Sequence, residues 1–346
     1  MKNKPLSFAL IGAGGIAQTH LQAFQQTQLA RLVAVMDLRQ EAAQSVSDVH
    51  RCQAFRSMDT LMDSLSGSAR TFQAAIVCTP PSTHPEICMR LAEAGIHVLC
   101  EKPFAVDRQS AEAMIEAAER NRTILTMASK FRYTQDMIRA RQLITSGLLG
   151  EVLMFENTFA GHVDMSRRWN SNPAISGGGV LIDNGTHSVD IIRYLLGPIQ
   201  AIQVIEGKRI QNLPVEDTVR IMARTGQDVL AAVDLSWSIN KQTPWYVSVY
   251  GTQGTALVGW SESKYRRESD REWTTLGSGY NKVQAFTDQL NNFCEAIQAG
   301  QDLLIGHEDA IASVDVIEAA YESLRRDDWV SIRRGAPRET SSPAQV

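Results

Sequence analysis

Asp183, His187 and Asp190 lie within an otherwise apolar run, GGGVLIDNGTHSVDIIRYLLG, residues 177–197. At about 100° per residue, positions i, i+4 and i+7 share one narrow stripe of a helix. Val180, Leu181, Ile182, Val189, Ile191, Ile192, Leu195 and Leu196 occupy the broad remainder. A carboxylate one turn ahead of an imidazole can orient the ring and favour its protonated form, which suits a proton-transfer group. The competing reading is the solvated face of a surface helix. That stripe holds no Lys or Glu, the residues such a face normally uses.

A second constellation lies near the N-terminus. The strand-like run LSFALI (6–11) leads into GAGGIAQTHLQAF, where Gly12, Gly14 and Ala17 fill the three positions of a G-x-G-x-x-G/A turn. Gly12 permits a tight turn, Gly14 lets backbone approach a pyrophosphate, and Ala17 lets helix and strand pack closely. The helix N-terminus then offers free N–H groups to phosphates. The next strand ends VAVMD, placing Asp37 20 residues beyond Ala17. An acidic residue there suits an adenosine ribose and repels a 2′-phosphate, which favours NAD. Arg39 could hold a 2′-phosphate if Asp37 turned away, so NADP stays open.

These residues need elements to position them. LSFALI, RLVAVM (31–36), AAIVC (74–78), HVLC (97–100) and TILTM (123–127) alternate with amphipathic stretches at 15–26, 84–94 and 108–120. Strand–helix alternation implies a parallel sheet covered on both faces. Beyond about 150, runs such as VLMFENTF, IQAIQVIEG, TVRIMAR, VLAAVDLSWS, WYVSVYG and TALVGW dominate, many alternating as half-exposed antiparallel strands do. The 177–197 helix interrupts them, and helices near 282–299 and 307–325 follow. The expected division is a dinucleotide-binding domain over 1–128, an α+β domain over 129–330, and a loose tail over 331–346.

Composition narrows the class. The 346 residues are 44% hydrophobic and 21% charged, as in soluble globular chains, and suffice for two domains. A net charge of −4 and a pI near 6.0 argue against a general nucleic-acid binder. No apolar run reaches the roughly 18–20 residues that span a bilayer. The N-terminal Lys and apolar residues run straight into the glycine turn, so they are not read as a signal peptide. Cys52, Cys78, Cys88, Cys100 and Cys294 are widely spaced, lack metal-ligand spacing, and fit reduced thiols in the cytoplasm. No metal is expected.

Two further motifs carry a resemblance. AAIVCTPPSTHPEICMRLAEAGIHVLCEKPFA (74–105), with its TPP…H loop, AG-x-HV run and EKP triplet, resembles the glucose–fructose oxidoreductase/inositol dehydrogenase (Gfo/Idh/MocA) family. SKFRYTQDMIRARQLITSGLLGEV (129–152) is similar to that family's connecting segment, and the 177–190 run to its G-G-G…D-x-G-x-H-x-x-D signature. The likeness spans residues 6 to about 260, with helical remnants to 330. It implies a Rossmann domain followed by a domain with a large, open, mostly antiparallel sheet, whose exposed face makes subunit contacts in a homodimer or homotetramer. It also implies an NAD(P)-dependent oxidoreductase acting on a secondary hydroxyl of a sugar, inositol or nucleotide-sugar. Two alternatives are an NAD-dependent glycoside hydrolase working through transient oxidation and a non-catalytic nicotinamide-binding regulator.

The resemblance carries catalytic roles onto Lys102, Asp183 and His187. Taking hydride from an alcohol needs a base for the hydroxyl proton, and His187 is that candidate because an imidazole titrates near working pH. Asp183 would orient the ring or bind a substrate hydroxyl. Lys102, just past a parallel strand, would place positive charge where negative charge develops. Ile16, Thr79, Pro80, His84 and Glu101 join Lys102 as expected cofactor neighbours, Glu101 on a ribose hydroxyl; His84 could instead cap the helix it opens. Arg132, Trp169 and Asn184 are the substrate candidates, and MSRRWNSNPAISGGG (165–179) reads as a mobile loop whose Arg167, Arg168 and Trp169 could meet a sugar or phosphate. Asp190 is expected to be structural. The three glycines would let the chain pass tightly over the cleft, and Gly185, on the helix's far side, would allow close packing behind it.

Overall fold

The computed structural model describes residues 4–65 and 71–332; most of the expected 331–346 tail lies outside them. The chain begins β1 (Leu6–Ile11), α1 (Gly15–Gln26), β2 (Ala30–Met36), α2 (Gln40–His50), β3 (Gln53–Phe55), α3 (Met58–Asp63) and β4 (Ala74–Val77). It continues α4 (His84–Glu93), β5 (His97–Glu101), α5 (Arg108–Arg120) and β6 (Leu125–Ala128). The strands form one parallel sheet of order β3-β2-β1-β4-β5-β6. Chain order reverses between β1 and β4, which opens a crevice at the carboxyl ends of those strands.

The apolar strand runs explain this sheet: β4 and β6 are buried at every position, as strands covered on both faces must be. Local signals set helix starts. Asp107 caps α5 by accepting from the Ser110 amide at 2.7 Å, and Ser57 caps α3. The short strand β3, with α2 and α3, was not legible as periodic pattern.

A helix α6 (Gln135–Thr145) follows, then β7 (Val152–Ala160), α7 (Pro173–Ser176), α8 (Val180–Leu196), β8 (Ile199–Glu206), β9 (Thr218–Thr225) and β10 (Leu230–Ser236). Next come β11 (Trp245–Gly251), β12 (Gly254–Gly259), β13 (Ser263–Arg267), β14 (Thr274–Gly277), α9 (Lys282–Ala299), α10 (His307–Arg326) and β15 (Val330–Ser331). These strands make a nine-stranded sheet, β14-β13-β12-β11-β7-β10-β9-β8-β15, antiparallel except where β10 runs parallel to β7. So the architecture is α/β, a Rossmann sheet followed by an α+β unit with a large, mostly antiparallel sheet.

Helices α8 and α10 cover one face of the large sheet, joining Leu181, Val189, Ile192 and Ile317 to Val204, Ile221, Val233 and Phe155 in one core. The other face leaves Met154 and its register partner Leu230 about half exposed. Helix α9 returns to the first sheet: Phe286, Leu290, Phe293 and Cys294 pack with Phe8, Leu21 and Phe24. The Phe8 and Phe293 rings lie 6.1 Å apart. The chain thus crosses between the two sheets more than once, which fixes the cleft between them.

Candidate active site

The turn after β1 is shaped by sterics. Gly12 has φ +90°, and a Cβ there would meet the Cys78 backbone at 2.9 Å, so only glycine fits. Its amide donates to the Met36 carbonyl at 2.7 Å. Ala17 is fully buried between helix and sheet. Gly14 and Gly15 have open space where a Cβ would stand, and no side chain caps α1. The first amides of α1 therefore remain free, the arrangement that accepts phosphate oxygens.

Asp37 closes the other side of this turn. Its carboxylate accepts the Ala13 amide at 2.8 Å and the Arg39 amide at 2.8 Å. Burial alone would raise its pKa, but the Arg39 guanidinium and these two amides outweigh burial and hold it below the usual carboxylate range. Arg39 is turned onto Asp37, Nε at 3.2 Å, so the two charges share one spot. These features fit an NAD adenosine half.

Below the crevice, Gly14, Ile16, Thr79, Glu101, Lys102, Asp183, Asn184, His187 and Trp169 all line one cavity of about 790 Å³, within the range of small-molecule sites. Residues from the ends of β1, β4 and β5 thus face residues of α8. The Lys102–Pro103 bond is cis. The Lys102 ammonium donates to the Asp183 carboxylate at 2.6 Å and to the Asp183 carbonyl at 2.9 Å.

That contact corrects the expectation for Asp183. Among the described residues its carboxylate bonds Lys102 and makes no hydrogen bond to His187, so of the two expected roles it does not orient the ring. The His187 ring is instead held by aromatic edges, Phe131 at 5.1 Å and Phe159 at 6.4 Å between centroids. Nor is the ring protonated by a neighbouring carboxylate. Burial, with the charges of Lys102 and Lys130, pushes its pKa well below the ordinary 6.5. Its Nδ1 is buried and unpartnered among the described residues, and the residue lines the cavity.

Glu101 is anchored from behind. His20 of α1, fully buried, lies 2.8 Å from its Oε1. Burial would raise the Glu101 carboxyl, but His20, Lys102 and Lys130 together hold it below its usual value.

Several expected site residues stand elsewhere. Arg132 is turned away from the cavity into a buried network: it pairs with Asp190 at 2.6 Å and Asp309 at 2.9 Å. Asp190, fully buried, also accepts from Ser129 at 2.5 Å. The pair clamps the segment after β6 onto α8. His84 is also fully buried, its ring nitrogens 2.9 Å from the Thr79 carbonyl and 3.0 Å from the Pro103 carbonyl. It ties two loops beside the site and does not itself line the cavity. Pro80 does not reach the cavity lining either.

Two of the three glycines, Gly178 and Gly179, answer to close neighbours rather than to a passage over the cleft, and Gly177 to a φ of +81°. A Cβ on Gly178 would overlap the Tyr321 hydroxyl, and one on Gly179 the Glu216 carbonyl. Glu216 Oε1 then accepts the Gly179 and Leu181 amides at 2.9 and 3.1 Å and the Tyr321 hydroxyl at 2.8 Å. A carboxylate from the loop before β9 thus caps α8 and aims the helix that carries Asp183 and His187. Gly185 does sit behind that stripe: a Cβ there would meet Leu235 at 3.3 Å and Ile317 at 3.6 Å.

Lys130, Phe131, Phe159, Trp260, Tyr280 and Lys282 also line the cavity and were not singled out from sequence. Lys130 and Phe131 sit in the quoted SKFRY stretch, where a short turn over Lys130–Tyr133 sends Lys130 to the cleft and Arg132 to the core. The 165–179 stretch is not a featureless loop. It holds a helical turn at Trp169–Ser171 and α7.

Residues 6–129 match the oxidoreductase family with an NAD-binding Rossmann fold, and residues 137–257 match the GFO/IDH/MocA C-terminal domain. Inositol 2-dehydrogenase of Rhizobium meliloti (strain 1021) is 26% identical over 94% of this chain and 98% of its own length. Levoglucosan dehydrogenase of Pseudarthrobacter phenanthrenivorans is 23% identical over 74% of this chain and 79% of its own. A solved levoglucosan dehydrogenase, in complex with NADH and levoglucosan, superposes with a TM-score of 0.87 at 21% identity, covering 95% of this chain and all of that one. These relatives lend no support to the hydrolase or regulator readings. Among the described residues no helix is long and apolar enough to cross a membrane. Matched across both of its sheets, the chain belongs to the Gfo/Idh/MocA family of oxidoreductases, with an NAD-binding Rossmann domain.

Proposed function

We propose that the protein is an NAD-dependent dehydrogenase that oxidises a secondary hydroxyl of a sugar or polyol, with Lys102, Asp183 and His187 as its catalytic residues. The observation that carries it is the convergence of these three side chains, one from the end of β5 and two from α8, on the cavity that the Gly14–Ile16 turn also lines. The inositol and levoglucosan dehydrogenases it resembles supply the substrate class.

Gly14, Gly15 and Ile16 would hold the dinucleotide phosphates, Asp37 the adenosine ribose, and Thr79 and Glu101 the nicotinamide half. When bound, NAD supplies the hydride acceptor. His187 accepts the hydroxyl proton at Nε2, and its depressed pKa keeps it unprotonated for that task. Lys102 places an ammonium beside the oxygen as negative charge develops there. Asp183 fixes that ammonium and offsets its repulsion of the imidazolium that forms. Trp169 and Asn184 remain substrate-side candidates. The carboxylate of Asp37 makes NAD the preferred nucleotide over NADP.

The nucleotide-binding unit runs over 1–128 and the substrate-binding unit over 129–330. The free thiols of all five cysteines suit the cytoplasm. The apolar outer face around Met154 and Leu230 suits a homodimer or homotetramer rather than nucleic acid. The test is a screen of sugars and inositols for NADH formation. Reduction by a sugar, lost in His187→Ala with NADH binding kept, supports the reading. Aglycone release without net NADH, or no reduction at all, overturns it.

A further inference from the structure

The charges around the cavity do not balance. Five cations line it, Lys102, Lys130, Arg167, Arg168 and Lys282, against the carboxylates Glu101 and Asp183. Both carboxylates are engaged, Asp183 by Lys102 and Glu101 by His20. Among the described residues, Lys130, Lys282, Arg167 and Arg168 have no side-chain hydrogen bond or ion pair with the protein. Elsewhere in the same region buried cations are matched: Arg132 has Asp190 and Asp309, and Arg193 has Asp309.

We propose that the cleft is built for an acidic substrate, a sugar or polyol bearing a carboxylate or phosphate group that Lys130 binds together with Arg167 or Arg168. This names the substrate class within the dehydrogenase reading above and rests on it. A partly buried ammonium without a direct counter-ion is costly; Lys130 makes no ion pair, sits 5.2 Å from the Phe131 ring, and is favoured in its charged form only by Glu101 and Asp183, both already engaged elsewhere. The cost shows in its pKa: burial, then the Lys102 charge, brings Lys130 down to about 8. A ligand anion supplies a direct partner and further favours the charged form.

The dinucleotide pyrophosphate is not that partner. It belongs at the α1 N-terminus beside β1, whereas Lys130 follows β6, the third strand away in the order β1-β4-β5-β6. At about 4.8 Å between strands, the Lys130 backbone stands about 14 Å from the phosphate turn. Arg167 and Arg168, exposed on the stretch leading into α7, line the same cavity as Lys130. Phe159, Trp260 and Tyr280 add an aromatic wall to the same cavity, suited to the apolar face of a ring.

The experiment compares matched substrates by initial NADH formation at low ionic strength: glucose against glucuronate and glucose 6-phosphate, and myo-inositol against its monophosphate. The expected result is kcat/KM at least tenfold higher for an acid than for its neutral counterpart. The winning arm tells carboxylate from phosphate. The acid-to-neutral ratio should fall at least tenfold in Lys130→Met, and in Arg168→Met should the first variant fail to fold. Both should retain NADH binding by fluorescence titration. Neutral sugars oxidised as well as the acids would overturn this inference while leaving the dehydrogenase standing. Loss of NADH affinity in parallel with the acid preference would assign the cations to the cofactor and overturn it too. No reduction by either class would overturn both readings.

Discussion

The Lys102 ammonium, at the end of the Rossmann sheet's β5, is bonded to both the carboxylate and the backbone carbonyl of Asp183 on α8, at 2.6 and 2.9 Å. The two side chains are 15% and 24% exposed, so the pair is shielded on most sides yet open to the cleft. One bond pair thus joins the cofactor sheet to the substrate unit and fixes a positive charge at the site.

Lys102→Met should lower kcat by about 10²–10³, the usual loss when a donor to a developing oxyanion is removed. It should also raise the His187 pKa, because Lys102 is the second cause of its depression, after burial. An imidazole NMR titration reads this without needing activity. An unchanged His187 titration would separate the two groups electrostatically.

In the wild type, the pH profile follows from the same shift. Oxidation requires neutral His187, so activity should persist above its folded pKa and fall as pH drops through it. Since that pKa lies well below 6.5, the acid limb of kcat/KM should appear below the ordinary histidine range. His187→Ala should cost about 10²–10⁴ in kcat and abolish this limb.

Asp37→Ser should weaken NAD and improve NADP, because it removes the carboxylate that suits a ribose and frees Arg39 from its ion pair. Titrating both reduced nucleotides by fluorescence gives the ratio, expected to shift at least tenfold toward NADPH. An unchanged ratio would show that Asp37 does not face the adenosine ribose.

Arg132→Met leaves Asp190 buried without its cation. Removing one partner of a buried pair costs about 3–5 kcal/mol, which urea unfolding would read as a large drop in midpoint. The loss should appear in stability, with no separate effect on substrate preference. A change confined to KM would return Arg132 to the substrate.

Gly178→Ala forces the Tyr321 hydroxyl aside and breaks its bond to Glu216, the group that caps α8. Overpacking of this kind costs about 1–3 kcal/mol. Because α8 carries Asp183 and His187, kcat should fall along with thermal stability. Full activity in a destabilised variant would uncouple the cap from the site.

The sequence by itself determined the elements whose periodicity or turn chemistry is local. The glycine turn, Asp37 after the second strand, the 177–197 helix and the EKP triplet were all legible, because strand alternation, helical spacing and positive-φ turns are written in neighbouring residues. The resemblance of its motifs to the family also singled out Lys102, Asp183 and His187. Only the tertiary structure decided which partner each side chain meets. Asp183 turned out to bond Lys102, 81 residues away, rather than the imidazole one turn on. Arg132 and Lys130, two positions apart, went to opposite sides of one short turn. Gly178 and Gly179, before α8, answer to Tyr321 and Glu216, which spacing along the chain cannot reveal. The neutral state of His187 came from burial and from lysines on other elements. Charge and desolvation act through space, so they became readable only once the two sheets were packed around one cleft.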